Sequence, residues 1–356
     1  MNPSGYLVLE SGQVFPGQWR GGRSAAGEVV FNTAHSGYEE MATDPSYFSQ
    51  ILLTTAPMQG NYGESDEFWE SENIWIRGFV CLQLQQSKRD TSWLKKLTAN
   101  QVGILSDLDT RKLVLVLREQ GTTWGAVVHA KTAEEAQLEA KTLIHAEKRK
   151  DKDWVQQVTC KEPYDLPGAN PSGPRVAVLD FGCKKNTLRE LQARCQAVRV
   201  FPSRTAAQAI QEYRPHGLLL SNGPGNPEDV EIATDTVRNL LGKQFIFGIC
   251  MGHQILARAL GLRTFRLKFG HRGSNHPIKD LILKKIYMTS QNHGYAVEMP
   301  SDRSDVEVTH WNLNDMTISG IQNRSQKCMS VQFHPESHPG PHDSETLFDH
   351  FIKQIQ

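Results

Sequence analysis

Several absences from the 356-residue chain narrow what it can do. No apolar run is long enough to span a bilayer, and the start, Met1-Asn2-Pro3-Ser4-Gly5, has neither the basic nor the apolar part of a secretion signal. A soluble, cytoplasmic chain is expected. Lys plus Arg number 39 and so do Asp plus Glu, which leaves no basic field to favour nucleic acid. The six cysteines, Cys81, Cys160, Cys183, Cys195, Cys250 and Cys328, include no C-x-x-C pair, so a disulfide framework in a reducing compartment is not expected. No G-x-x-x-x-G-K-[ST] phosphate loop occurs, and any ATP chemistry belongs on another chain. The pairs His271/His276 and His338/His342 lie among Gly and Pro with no cysteine at a zinc spacing, so no metal is expected. No internal repeat is visible.

The chain does contain Phe247-Gly248-Ile249-Cys250-Met251-Gly252-His253-Gln254, a cysteine between two glycines after the apolar run 244–247. It reads as a thiol on a strand-to-helix elbow. Such a turn strains its central residue and leaves no room for a β-carbon two positions either side. The helix expected over 252–260, ending at Gly261, would favour a thiolate at its N-terminus. A base is needed, and Ser330-Val331-Gln332-Phe333-His334-Pro335-Glu336 offers one. If the strand persists to Glu336, His334 and Glu336 share a face and a Cys250/His334/Glu336 triad becomes feasible. His253, on the first helical turn, is a competing base. The strand-like run Gly217–Leu220 opens into Ser221-Asn222-Gly223-Pro224-Gly225-Asn226-Pro227-Glu228-Asp229, a rigid loop whose amides could meet a ligand or stabilise an oxyanion together with the N–H of Met251.

The texture changes along the chain. Short alternating runs at 6–9, 28–33 and 51–55, with a helix over 131–150, suggest a smaller, mainly β domain with some helix at 1–150. The Pro- and Gly-rich end of 151–174 reads as a linker. From 175 to 356 strands and helices alternate, 175–181, 186–194, 197–201 and 206–213 among them. This predicts an α/β domain built on an open, mostly parallel sheet flanked by helices.

In their order along the C-terminal half, the Gly223 loop, the Cys250 elbow and the His334 segment resemble the class I (triad) glutamine amidotransferases. The resemblance implies that Cys250 attacks the side-chain amide of L-glutamine, that His334 shuttles the proton to departing ammonia, and that Glu336 orients His334. The N-terminal half carries Gly27-Glu28-Val29-Val30-Phe31-Asn32-Thr33, Gly37-Tyr38-Glu39-Glu40, Thr43-Asp44-Pro45-Ser46-Tyr47, Gly60-Asn61-Tyr62-Gly63 and Asp109-Thr110-Arg111-Lys112-Leu113. These, with the segments 268–277 and 290–297, are similar to the small chains of carbamoyl-phosphate synthases, so the resemblance covers nearly the whole length. It implies a glutamine pocket of Ser46, Gly223, Gly225, Met251, Gln254, Asn292, Gly294 and Tyr295. It implies no cofactor in this chain, with ATP and divalent metal on a large partner subunit that takes the ammonia for carbamoyl phosphate, a precursor of pyrimidines and arginine. Asn226, Met251 and Val114 depart from the family pattern, and 64–81 and 316–327 match weakly. Three other readings keep part of the evidence: the glutaminase of a different synthetase, a stand-alone γ-glutamyl hydrolase or thiol peptidase, and a non-catalytic regulatory subunit.

Overall fold

The computed structural model describes residues 5–87, 92–298 and 303–356; Met1 to Ser4, the start weighed above for a secretion signal, lie outside them. The chain divides into two compact units, Met1–Asp151 and Lys152–Gln356. The fold is mixed α/β.

The first unit is a closed barrel of the strands Gly5–Leu9, Val14–Gly21, Gly103–Ser106, Gly78–Val80, Gln50–Thr54, Ala25–Asn32 and Thr123–His129, in that order around the wall. Closure removes the exposed edges that a small sheet would leave. Four neighbouring strands, from Ala25–Asn32 to Gly103–Ser106, run parallel, with Leu53, Val80 and Leu105 in register. The helix Ala133–Lys148 lays Ala136, Ala140 and Ile144 on Tyr6, Val8, Ala26, Ala126 and Val128. Small residues one turn apart let it approach the wall closely. The helix Thr110–Gln120 begins where Asp109 accepts from the Lys112 N–H (2.8 Å), buries Leu113 and Leu117, and stops at Gly121 (φ 94°). The short strands anticipated from alternation are present; their closure into a barrel was not legible.

In the second unit one sheet of ten strands is parallel only at its centre, where Ala197–Pro202, Arg175–Asp180, Gly217–Leu220, Phe245–Ile249 and Cys328–Val331 lie side by side. The expectation of a mostly parallel sheet therefore holds for these five and fails at the flanks. On one side the long hairpin Thr264–Asp280/Lys285–Val297, with Glu307–Asn312 and Ile318–Asn323, pairs antiparallel. Direct hairpins need no crossover helix, so the alternation of elements is lost there. On the other edge, Tyr164–Pro167 pairs antiparallel with Ala197–Pro202, and Trp154–Val158 is a helix capped by Asp153. The expected linker 151–174 thus contributes, from Lys152 on, a helix and an edge strand to the second unit and is not a bare linker. A Pro- and Gly-rich segment can still donate an edge strand, because an edge requires only half of the backbone bonds.

Both faces of this sheet are covered. Helices Glu231–Leu240 and Met251–Ala259 pack Val237, Leu240, Ile255 and Leu256 against Leu218, Leu220 and Ile246. Lys185–Arg194 and Thr346–Ile355 pack Leu191, Phe348, Phe351 and Ile352 against Val178, Leu219, Phe247 and Val331 on the other. Double coverage explains why the central strands are apolar throughout. No helix among the described residues is long and apolar enough to cross a membrane.

Candidate active site

Cys250 stands between the strand Phe245–Ile249 and the helix Met251–Ala259 with φ 53° and ψ −104°, outside the comfortable regions for a side-chain-bearing residue. Neighbours hold it there. Its N–H donates to Val331 O (2.9 Å) and the Gly252 N–H to Ser221 O (2.9 Å), which pins the turn to strands on both sides. A β-carbon on Gly252 would meet Leu220 O at 2.2 Å, and one on Gly248 would meet Gly252 O at 2.6 Å. Both glycines are therefore sterically required. Met251 is the first helical residue, so its N–H has no acceptor within the helix.

The Cys250 Sγ lies 3.5 Å from Asn292 O, and Cys250 itself is almost wholly buried. His334 comes from the segment after Cys328–Val331. The strand does not persist to Glu336: His334 makes a lone bridge to Ser290, donating its N–H to Ser290 O (3.0 Å), and the chain then turns, with the Ser337 N–H on His334 O (3.1 Å). The turn, and not strand alternation, brings His334 Nδ1 to Glu336 Oε1 at 2.7 Å. Nε2 of His334 is buried, and the ring interacts with the Cys250 sulfur.

Electrostatics follow from burial and pairing. Burial alone would lower the His334 pKa, but the Glu336 carboxylate, and next the Cys250 sulfur, outweigh it and push the imidazole well up. Burial alone would raise Glu336; Lys184 first and His334 second reverse this and hold its carboxyl well down. The pair is an imidazolium and a carboxylate at neutral pH.

Lys184 was missed by the sequence reading. Its side chain is buried, with Nζ 3.3 Å from Glu336 Oε1 and donating also to Ser337 O. Asn186 Nδ2 donates to Glu336 O (2.5 Å). The turn delivering Lys184 is shaped by Asp180, whose Oδ1 accepts from the Gly182 and Cys183 N–H groups (2.8 and 2.7 Å). A signal was available: Lys184 follows the C-terminal end of a parallel strand, where open α/β sheets gather their ligands.

The other expected residues are placed by their own local contacts. Gln254 Nε2 donates to Tyr295 O (2.9 Å) and Gln332 Oε1 (3.0 Å), so the elbow helix is tied to the strand carrying Asn292, Gly294 and Tyr295. Gly223 lies in the loop beside the elbow, where a β-carbon would fall 2.1 Å from Phe181 O, and Gly225 takes φ 93°. That loop is locked to the Lys184 turn, since Asn222 accepts the Lys184 N–H (3.2 Å) and donates to Gly182 O (2.9 Å). Ser46 belongs to the first unit, in the turn Pro45–Tyr47, with its N–H on Asp44 Oδ1 (2.8 Å). The competing base is otherwise engaged: His253 Nδ1 is 2.8 Å from Ser330 Oγ, and burial, with His310 nearby, pushes its pKa down to about 3. A neutral ring turned into the sheet cannot serve the sulfur. Of the histidines weighed for metal, His271 pairs with Asp315 (2.8 Å), and no group of three or more His, Cys, Asp or Glu among the described residues is arranged to hold an ion.

A buried thiol on a strained elbow, beside an imidazolium held by a carboxylate, is equipped for acyl transfer through a thioester. Two family models match: "Glutamine amidotransferase class-I" over residues 177–354 and "Carbamoyl-phosphate synthase small chain, CPSase domain" over 7–127. The chain is 43% identical to a carbamoyl phosphate synthase pyrimidine-specific small chain of Halalkalibacterium halodurans, over 98% of this chain and 96% of that one. It is 44% identical to a carbamoyl phosphate synthase small chain of Symbiobacterium thermophilum, over 98% and 97%. A solved glutamine amidotransferase of Thermotoga maritima is similar with a TM-score of 0.37 and 18% identity, over 46% of this chain and 76% of that one. By full-length similarity, the chain belongs to the carbamoyl phosphate synthase small chain family.

Proposed function

We propose that the chain hydrolyses L-glutamine at Cys250 and passes the ammonia to a large, ATP- and bicarbonate-using subunit that makes carbamoyl phosphate. The observation that carries the proposal is the His334–Glu336 pair set beside Cys250 at the end of the parallel strands. The Cys250 thiolate adds to the amide carbon, and the oxyanion is received by the Met251 N–H and by amides of the Gly223 loop. His334, as imidazolium, gives its Nε2 proton to the leaving nitrogen; ammonia departs and a γ-glutamyl thioester remains. The now neutral His334 takes a proton from the attacking water. Collapse of the second adduct releases glutamate and restores the thiolate–imidazolium pair.

Lys184 and Asn186 keep Glu336 charged and oriented through the cycle. The glutamine-binding residues of this proposal are Gly223, Gly225, Met251, Gln254, Asn292, Gly294 and Tyr295 of the second unit and Ser46 of the first. ATP and divalent metal are assigned to the partner and the pair to the cytoplasm. The test replaces Cys250 by Ala, reconstitutes the complex and measures carbamoyl phosphate from glutamine and from ammonium salt. Loss of the first with the second kept is the expected result. Equal loss of both would mean that Cys250 serves folding or assembly, and the proposal would fail.

A further inference from the structure

The strand Arg175–Asp180 ends on a buried carboxylate outside the triad, Asp180 being 6% exposed. Three backbone N–H groups converge on it from two directions: Gly182 and Cys183 on Oδ1 (2.8 and 2.7 Å), and Cys160 on Oδ2 (2.7 Å). The first two close the chain into a tight turn straight after the strand, which Gly182 completes with φ 120°. The third ties the carboxylate to the segment that follows the helix Trp154–Val158. There Thr159 Oγ1 donates to Asp180 O (2.7 Å) and accepts from the Ser203 N–H (2.9 Å), so residue 180 is held by backbone and side chain alike.

What this turn carries is Lys184. Its N–H goes to Asn222 Oδ1 (3.2 Å), and Asn222 Nδ2 returns to Gly182 O (2.9 Å). The Gly182, Cys183 and Lys184 N–H groups and the Gly182 carbonyl are thus held by two side chains, Asp180 and Asn222, and not by helix or strand bonds. Lys184 is 2% exposed, so its packed stem has no free volume in which to make good a displaced Cα. A buried ammonium is tolerated only with its partner in place, and Glu336 Oε1 at 3.3 Å is that partner. Asn222 belongs to the glycine loop that the proposed chemistry itself uses, whereas the Asp180 carboxylate is occupied by backbone N–H groups.

We infer that Asp180 is a positioning residue for glutamine hydrolysis: by fixing the turn 182–184 it sets the Lys184 ammonium against Glu336, and it acts on the His334–Glu336 pair through Lys184. The inference rests on the proposed function. Burial alone would raise the Glu336 carboxyl, and Lys184 comes first, ahead of His334, among the groups that reverse this. Two more ionisable groups lie within electrostatic reach of Glu336: Glu190 on the helix Lys185–Arg194, and His338, held down to about 4 by burial and then by Lys184. A depressed carboxyl supports the imidazolium above its own pKa and fails as pH falls through it. A displaced Lys184 raises that pKa, so activity is lost at a higher pH on the acid side. The alkaline limb belongs to His334, which is upheld against its burial by Glu336 and then by Cys250, and it stays in place.

The experiment assembles the full chain with the large subunit and follows glutaminase kcat against pH, with the melting temperature recorded at every pH. It compares Asp180→Asn and Asp180→Ala, each alone and combined with Lys184→Met. Alone, Asp180→Ala is expected to move the acid limb up by about 1 pH unit or more. Asp180→Asn should move it by less, since one amide oxygen can still serve the Gly182 and Cys183 N–H groups while the amide nitrogen opposes that of Cys160. Lys184→Met should move the limb by itself, and adding either substitution should move it no further, as for residues that act as one unit. A lowered plateau with an unmoved acid limb would show that Asp180 only stabilises the fold. An equal extra shift in the Lys184→Met background would show that it acts by another route. Either result overturns the inference while the proposed function stands. If Asp180→Ala does not fold, Asp180→Asn decides by the same two criteria, and failure of both to fold also overturns the inference. A wild type without glutaminase activity overturns the proposed function and the inference with it.

Discussion

At the scale of single residues, the proposed chemistry depends on one ion pair being kept ionised out of water. Glu336 receives charge from Lys184 and His334, and His334 in turn is held protonated. The contribution of His334 to stability is complete below its ordinary value of about 6.5 and fades as pH rises through its elevated one. That of Glu336 is complete above about 4.3 and fades as pH falls through its depressed one. Glu336→Gln removes the main support of the imidazolium. Its glutaminase pH profile, measured as kcat against pH, should show the alkaline limb moved to lower pH, with kcat reduced about 100-fold. An unmoved limb would mean that Glu336 does not set the charge of His334. Cys250 and its glycines were legible because the elbow is a local pattern. The place of Lys184 after a strand was readable too, but its pairing with Glu336 was not, because the two lie 152 positions apart and only folding joins them.

Among the elements, the elbow is rigid because three parallel strands and a helix grip it. The decisive contact is steric: Gly252 slides under Leu220 O with no space for a methyl group. Gly252→Ala should cost about 2 kcal/mol or more of stability, read from denaturant midpoints, and should depress glutaminase activity beyond what the unfolded fraction accounts for. Below the elbow strand, Phe351 of the C-terminal helix is fully buried, its ring 5.5 Å from that of Phe247. Phe351→Ala should cost about 3–5 kcal/mol by the same measurement. A loss under about 1 kcal/mol would mean that this helix does not support the strand. Most element types could be read from periodicity. The antiparallel flank could not, because long strands of mixed burial such as Thr264–Asp280 lack the clean alternation that marks a strand.

For the whole molecule, glutamine hydrolysis is useful only when coupled to the consumer of ammonia. If binding of the large subunit raises glutaminase activity by tightening the glutamine site, occupancy of that site must strengthen subunit binding by the factor through which the subunit strengthens glutamine binding. Binding isotherms of the Cys250→Ala chain with and without saturating glutamine should therefore differ, and the glutamine affinity of the assembled pair should change by the same factor. Equal affinities in both directions would rule out coupling through binding.

Three segments told of a cysteine on a strand-to-helix elbow, a histidine–carboxylate pair and a glycine loop, since each is a short pattern with a local physical cause. The parallel centre of the second unit was also readable, from alternation of strand and helix. Tertiary structure alone decided the rest. It closed the first unit into a barrel, made 151–174 an edge strand and helix, turned His253 away to Ser330, and set Lys184 behind Glu336. Those outcomes depend on contacts between residues far apart in the chain, whose energies no local pattern records.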